Sequence, residues 1–221
     1  MKLLSKTLFL LAFCLLANLS FSQIFKMEQA VEDKNFKKLE KVALSALEDK
    51  DLKKKPEVYY YLAQAYIEQS MDEILFSKNP DAVKLATKYM LKGIKKDENR
   101  ATLSGDFEKV LEKVIKRQIE EAERQYKIKK MSKSVKMFNY VIDLDSTNRY
   151  AHYMVGKSHI ANLDSALGEQ SYKRLISWYN EDLKTGNKEN EKTVDPHAYF
   201  IDKYWQAGNY VPPNYDIGEQ Q

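Results

Sequence analysis

The segment Val58-Tyr59-Tyr60-Tyr61-Leu62-Ala63-Gln64-Ala65-Tyr66-Ile67, which follows Pro56, decides the fold class of this 221-residue chain. Proline suits the first turn of a helix, because its missing N–H would have no partner there. Apolar side chains then recur with a helical period, which predicts an α-helix. The same periodicity continues from Gln23 onward between short polar breaks. The sequence therefore predicts an all-α fold.

The composition favours the same fold class. Gly 7 and Pro 5 together make about 5% of the chain, against roughly 12% in average usage. So few turn-forming residues argue against a many-turned β-sandwich or barrel. Tyr 15, Phe 9 and Trp 2, together with nearly balanced charge, argue against disorder.

The periodicity predicts a series of helices and two irregular segments. Further helices are predicted near Pro80 to Ile94, Asp106 to about Lys129, Ser132 to Leu144, Arg149 to about Asn162, about Glu169 to Leu183, and Pro196 to about Gln206. Gly186–Val194 is predicted to be a polar loop. Pro212 and Pro213 forbid a continued helix, so residues 211–221 are predicted to form an extended tail.

The first 22 residues have the pattern of a signal peptide. Lys2 and Lys6 precede the apolar run Leu8–Leu16, and small residues stand before Gln23. This pattern predicts cleavage after Ser22 and export to the periplasm or the medium. Two alternatives are a lipid anchor on Cys14 and a retained N-terminal anchor helix.

Removal of this segment changes the charge and the cysteine count. Two lysines and no acids are lost from 36 basic and 32 acidic residues, so the net charge falls from +4 to +2. Such a balance gives no global attraction to nucleic acid or to an anionic membrane. The single cysteine is lost as well, which excludes a disulfide framework.

Two spacings suggest an internal repeat. Tyr59-x2-Leu62-Ala63-x2-Tyr66 and Ala86-x3-Met90-x2-Gly93 resemble the first-helix and second-helix patterns of the tetratricopeptide repeat (TPR) family. The resemblance implies an α-solenoid of stacked antiparallel helix hairpins whose first helices line a concave binding groove. Another α-solenoid or a non-repeating helical bundle is the alternative.

The repeats are degenerate and unevenly spaced. Hairpins are predicted at about 23–51, 56–98, 115–146 and 149–184, followed by a last helix at 196–208. The position of the repeat pattern that normally holds a small residue falls at Met27, Ala63, Ala122, Gly156 and Ile201. The successive spacings are 36, 59, 34 and 45 residues. Insertions are therefore expected within Ser70–Asn79, around Arg100–Lys113 and around Asn162–Gly168.

The resemblance also implies which side chains face the groove. Tyrosine and tryptophan supply a large contact area with little side-chain entropy to lose, which suits an extended peptide. The groove candidates are Tyr60, Gln64, Glu68, Ile119, Glu123, Tyr126, Lys127, Tyr150, Tyr153, Lys157 and Trp205. The alternative is that several of these tyrosines belong to the core.

One segment is strongly basic, because no acid stands between Glu123 and Asp143. The basic patch consists of Arg124, Lys127, Lys129, Lys130, Lys133 and Lys136. It is either a solvated corner between two helices or a surface for an acidic partner or an anionic envelope polymer.

No motif for catalysis, a cofactor or a metal is found. His152 and His159 lie seven residues apart, but two histidines without a third ligand make a poor metal site. Asp143–Asn148 lacks the glycine and the final glutamate of a calcium loop and is predicted to be a helix terminus.

The sequence predicts a non-catalytic protein- or peptide-binding or scaffolding module of the bacterial cell envelope. It would use no cofactor, bind no nucleic acid and have no transmembrane span once processed. Its partner and its oligomeric state stay open. Two alternatives are a subunit of a larger assembly, with contacts through Gly186–Val194 and Asn209–Gln221, and a helical enzyme or ligand-binding protein that uses His152 and His159.

Overall fold

The computed structural model describes residues 22–185, which contain nine α-helices, two short 3₁₀ helices and no strand. The α-helices are α1 (22–32), α2 (Phe36–Ala46), α3 (Pro56–Met71), α4 (Glu73–Lys78), α5 (Ala82–Lys96), α6 (Asp106–Lys127), α7 (Met131–Leu144), α8 (Arg149–Ala161) and α9 (Ser165–Thr185). The 3₁₀ helices are Leu52–Lys54 and Glu98–Arg100. The predicted all-α class is confirmed.

Several predictions fall outside the described residues. They are the signal peptide, the loop Gly186–Val194, the helix at 196–208 with Trp205, and the tail at 211–221. Within 22–185, no helix combines the length and the apolar character needed to cross a bilayer.

The prediction for the start of α9 is wrong. The helix begins at Ser165 rather than near Glu169. The Leu167 N–H donates to the Asp164 carboxylate at 3.3 Å, so Asp164 caps the first turn. Asn162–Gly168 is therefore a tight turn followed by the first residues of α9. Within Ser70–Asn79 the chain forms α4, whose first turn is capped by Asp72.

The described chain divides into two compact units. Unit 1 comprises residues 22–124 and 140–146, and unit 2 comprises 125–139 and 147–185. The core of unit 1 is built around α3, which packs against α2 and α5. Eleven of the sixteen residues of α3 are buried. A helix that is apolar on nearly all sides must be covered on nearly all sides, so α3 is the central element of unit 1.

The helices α3 and α5 approach each other closely at Gly93. A Cβ atom at this position would lie 2.6 Å from Cδ1 of the Tyr60 ring. Tyr60 is fully buried, and its hydroxyl donates to the Asp97 carboxylate at 2.9 Å. Asp97 also accepts from the N–H groups of Thr102 and Leu103, at 3.0 and 2.9 Å. One buried carboxylate thus joins α3, the end of α5 and the following loop.

In unit 2, α8 packs against α9. Gly156 permits the approach, because a Cβ there would lie 3.0 Å from Cζ of the buried Tyr172 ring. On the other side of α8, Ser158 Oγ and Ser134 Oγ of α7 are 3.3 Å apart. Gly93 and Gly156 are therefore both sites of close helix packing.

One turn geometry occurs three times. After α1, α6 and α8, the residues Lys34, Lys129 and Leu163 have φ angles of 51°, 60° and 64°. In each turn, this residue donates its N–H to the carbonyl three positions back, and the next residue donates to the carbonyl five positions back. This is the Schellman arrangement, which usually places glycine at the position with positive φ.

The recurrence has a regular spacing in unit 2. Lys129 and Leu163 are 34 residues apart, and in each of the three turns the next helix begins two residues after the positive-φ position. The three turns thus share the same backbone hydrogen bonds and the same distance to the following helix.

Candidate functional site

A cleft of about 680 Å³ lies in unit 1. Its walls come from α1, α3, the loop before α6 and the first two turns of α6. Glu28 and Glu32 of α1 are one helical turn apart, as are Tyr61 and Gln64 of α3. Helical spacing therefore aligns each pair along the cleft.

The inner wall of the cleft is aromatic. The rings of Tyr61 and Phe107 meet edge to face, with centroids 5.0 Å apart. Val110, one turn further along α6, is buried beside the cleft. Burial, together with the nearby carboxylates of Glu28, Glu57 and Asp106, raises the pKa of Tyr61 to about 12. The Tyr61 hydroxyl is therefore neutral at physiological pH.

The rim of the cleft carries both signs of charge, but the basic groups are already paired. Lys109 Nζ lies 2.9 Å from the Asp106 carboxylate, and Lys113 Nζ pairs with Glu68. Glu28 and Glu32 are exposed, and neither forms an ion pair within residues 22–185. The uncompensated charge of the cleft is therefore negative and lies on α1.

The predicted groove residues of unit 1 have different environments. Gln64 lines the cleft, and Glu68 is held by Lys113. Ile119 and Glu123 are half-buried on α6. The prediction that Tyr60 faces the groove is wrong. Its side chain has no exposed surface, because α5 covers it and Asp97 binds its hydroxyl.

The predicted groove residues of unit 2 pack largely against one another. Lys157 Nζ lies 5.6 Å from the ring centroids of both Tyr126 and Tyr153. Tyr126 and Tyr150 are half-buried, and Lys127 is exposed. Tyr153 is buried, with its ring 6.1 Å from that of Tyr172, so it belongs to the core rather than to a groove.

Sequence reasoning missed several cleft residues. Tyr61 stands next to the predicted Tyr60, and the tyrosine run gave no signal to choose between them. Glu28, Glu32 and Phe107 belong to helices whose register the repeat pattern did not fix. The sequence did contain a signal for Glu28. Glu28 directly follows Met27, just as the predicted groove residue Gln64 directly follows Ala63, so the two occupy the same position of the first-helix pattern.

The residues of the basic patch are exposed, but they are not equivalent. Arg124 donates two hydrogen bonds to the Glu121 carboxylate, so its charge is compensated. Lys127, Lys129, Lys130, Lys133 and Lys136 are exposed, and none forms an ion pair in the part of the chain that the structure describes. The uncompensated positive charge therefore lies on the end of α6 and the start of α7.

The histidines and the calcium-like segment have structural environments. His152 is buried, with its ring edge to face with Trp178 at 5.0 Å, and His159 is half-buried. Among the described residues, no group of three or more potential ligands could hold a metal ion. Asn148 caps α8 through the Ala151 N–H at 3.0 Å, so the prediction that Asp143–Asn148 is a helix terminus is confirmed.

No protein-family model, no curated protein and no solved structure matches the chain.

Proposed function

We propose that the protein is a non-catalytic peptide-binding module of the bacterial cell envelope, built as a TPR-like α-solenoid of helix hairpins. In this proposal the chain is exported by its N-terminal segment and holds a segment of another protein in the cleft of unit 1. The observation that supports this proposal most strongly is that α1, α3 and α6 line the cleft together.

The identity of these helices supports the proposal. α1, α3 and α6 are the first helices of three predicted hairpins, and α2 and α5 are the second helices of two of them. In a stack of such hairpins, the first helices line the concave surface. The repeated turn after α1, α6 and α8 supports a common hairpin design.

The cleft walls suggest the chemistry of the bound segment. The Tyr61–Phe107 pair offers an apolar surface, and aromatic anchors dominate many interfaces. Glu28 and Glu32 offer carboxylates that a lysine or arginine would neutralise. The best fit is an extended peptide with an apolar side chain on the aromatic pair and a basic side chain on α1.

A displayed library of random peptides tests this proposal. Peptides selected on the full chain should be enriched in basic and apolar residues. The double variant Glu28→Lys/Glu32→Lys should weaken their binding by roughly 100-fold, about 2–3 kcal/mol, because like charges would then oppose one another. Titration calorimetry with a synthetic selected peptide measures the loss.

The matched control is Glu48→Lys/Glu98→Lys. Both residues are exposed and lie outside the cleft lining. This variant makes the same change in net charge and should keep the affinity within a few-fold. Equal loss in both double variants, or selected peptides that bind the Glu28→Lys/Glu32→Lys variant normally, would contradict the proposal.

A further inference from the structure

The turn after α6 and the turn after α8 lie at the same end of unit 2. Tyr126 stands near the end of α6, and Lys157 near the end of α8, and they are in contact. Ser134 lies five residues after Lys129, and Ser158 lies five residues before Leu163. The hydroxyl oxygens of these two serines are also in contact. Together the two turns and the first residues of α7 and α9 form what is called here the lysine-rich end.

Apolar side chains point into solvent at this end. Leu163 is 93% exposed, Ile128 is 48% exposed and Leu167 is 44% exposed. Two of the three sit in the turns themselves, at or beside the positive-φ residue. Leucine has no local reason to occupy the positive-φ position of an exposed turn, where glycine is preferred. Three exposed aliphatic groups at one end of unit 2 make this end a candidate contact surface.

Basic side chains surround the first of these turns. Lys127, Lys129 and Lys130 flank Ile128 directly, and Lys133 and Lys136 follow on α7. All five are exposed. The acids of this end are Asp164, which caps α9, and the exposed Glu169. The balance at this end is clearly positive, although the whole chain is nearly neutral.

We propose that the lysine-rich end docks on an anionic lipid surface, with Ile128, Leu163 and Leu167 entering the interfacial layer and the lysines on the headgroup phosphates. Aliphatic tips ringed by lysines combine the two forces of peripheral membrane binding, apolar burial and attraction to anionic lipid. Lysine suits this role, because a diffuse anionic surface needs point charges and not the bidentate geometry of arginine. Because the aliphatic groups project from turns, they suit insertion into a lipid layer, and an acidic partner is the alternative that the experiment below distinguishes. This surface shares no residue with the cleft lining, so either proposal can fail without the other.

A fluorophore at the turn reports docking directly. Cys14 is the chain's single cysteine, so Cys14→Ser with Ile128→Cys gives one attachment point in the full chain. An environment-sensitive dye at this position should shift its emission to the blue with vesicles of phosphatidylcholine and phosphatidylglycerol. Pure phosphatidylcholine should produce no shift, and added salt should weaken the response. The control is the same dye at Ile74→Cys, which is exposed on α4 of unit 1 and should not respond.

Charge variants in the labelled chain separate specific docking from general adhesion. Lys130→Gln, Lys133→Gln and Lys136→Gln should each lower the vesicle partition coefficient about fivefold. Lys37→Gln, Lys41→Gln and Lys95→Gln are matched controls on other exposed positions and should lower it less than twofold. Circular dichroism should show the same helix content in all variants.

Four results would overturn the proposal. They are no shift at position 128, an equal shift at position 74, an equal shift with neutral vesicles, and equal losses in the two lysine sets. Binding of the labelled chain to soluble polyglutamate without any response to anionic vesicles would assign the surface to an acidic polymer instead.

Discussion

Replacing Asp97 by alanine is expected to lower the free energy of unfolding by about 3 kcal/mol or more. The Asp97 carboxylate is buried and accepts hydrogen bonds from the Tyr60 hydroxyl and from two backbone N–H groups of the following loop. Alanine would leave the buried Tyr60 hydroxyl and two partly buried N–H groups without this acceptor, which is the costly way to lose a hydrogen bond. Urea unfolding followed by circular dichroism measures the loss.

The same residue gives a pH dependence. Burial alone would raise the pKa of Asp97, but the hydrogen bonds from Thr102, Tyr60 and Leu103 outweigh it and hold the pKa below its usual value. A lowered folded pKa means that the stabilisation is fully present above the unfolded pKa of about 3.9 and is lost as the pH falls through the folded value. The stability deficit of Asp97→Asn should therefore be constant near neutral pH and shrink below about pH 4. A deficit that grows on acidification would contradict this account.

Gly93→Ala is expected to cost about 2 kcal/mol, although alanine is the better helix former by about 1 kcal/mol. The added methyl group would lie 2.6 Å from Cδ1 of Tyr60. The ring is held on two sides, because its hydroxyl is bound to Asp97 and its centroid lies 5.2 Å from that of the tilted Phe107 ring. Thermal unfolding measures the effect.

Two variants show whether the Tyr60 ring is the cause. In a Tyr60→Leu background, Gly93→Ala should cost much less, because the clashing ring atoms are absent. Lys92→Ala, at an exposed position on the same helix, should change stability by less than about 0.5 kcal/mol. Equal costs of Gly93→Ala in both backgrounds would contradict the close contact between α3 and α5.

Helix positions could be predicted from the sequence, but the facing of individual side chains could not. The tyrosine run of α3 shows the reason. Tyr59, Tyr60 and Tyr61 are consecutive and all buried, because α3 is covered on most sides. An apolar stripe identifies one face only when the opposite face is polar. The pattern thus predicted the helix but could not choose Tyr61 over Tyr60 as the cleft residue.

Turn and long-range contacts set the second limit. Leu163 occupies a positive-φ position where glycine would mark the turn between α8 and α9, so the sequence pattern predicts a start of α9 that is four residues too late. The hydrogen bond from Tyr60 to Asp97 joins residues 37 positions apart. No local pattern contains a pair at that separation, so the buried carboxylate could not be recognised before the helices were assembled.

Photo-crosslinking from the cleft tests the central claim, which is that α1, α3 and α6 hold a peptide segment. Gln64 is replaced by p-benzoylphenylalanine, and Lys88, exposed on α5, carries the same group as the control. Irradiation of cells that make the full chain should give an adduct of one defined mass from position 64. When the isolated envelope fraction is irradiated instead, an excess of the selected peptide should suppress this adduct. No adduct at position 64, or the same adduct at position 88, would contradict the claim.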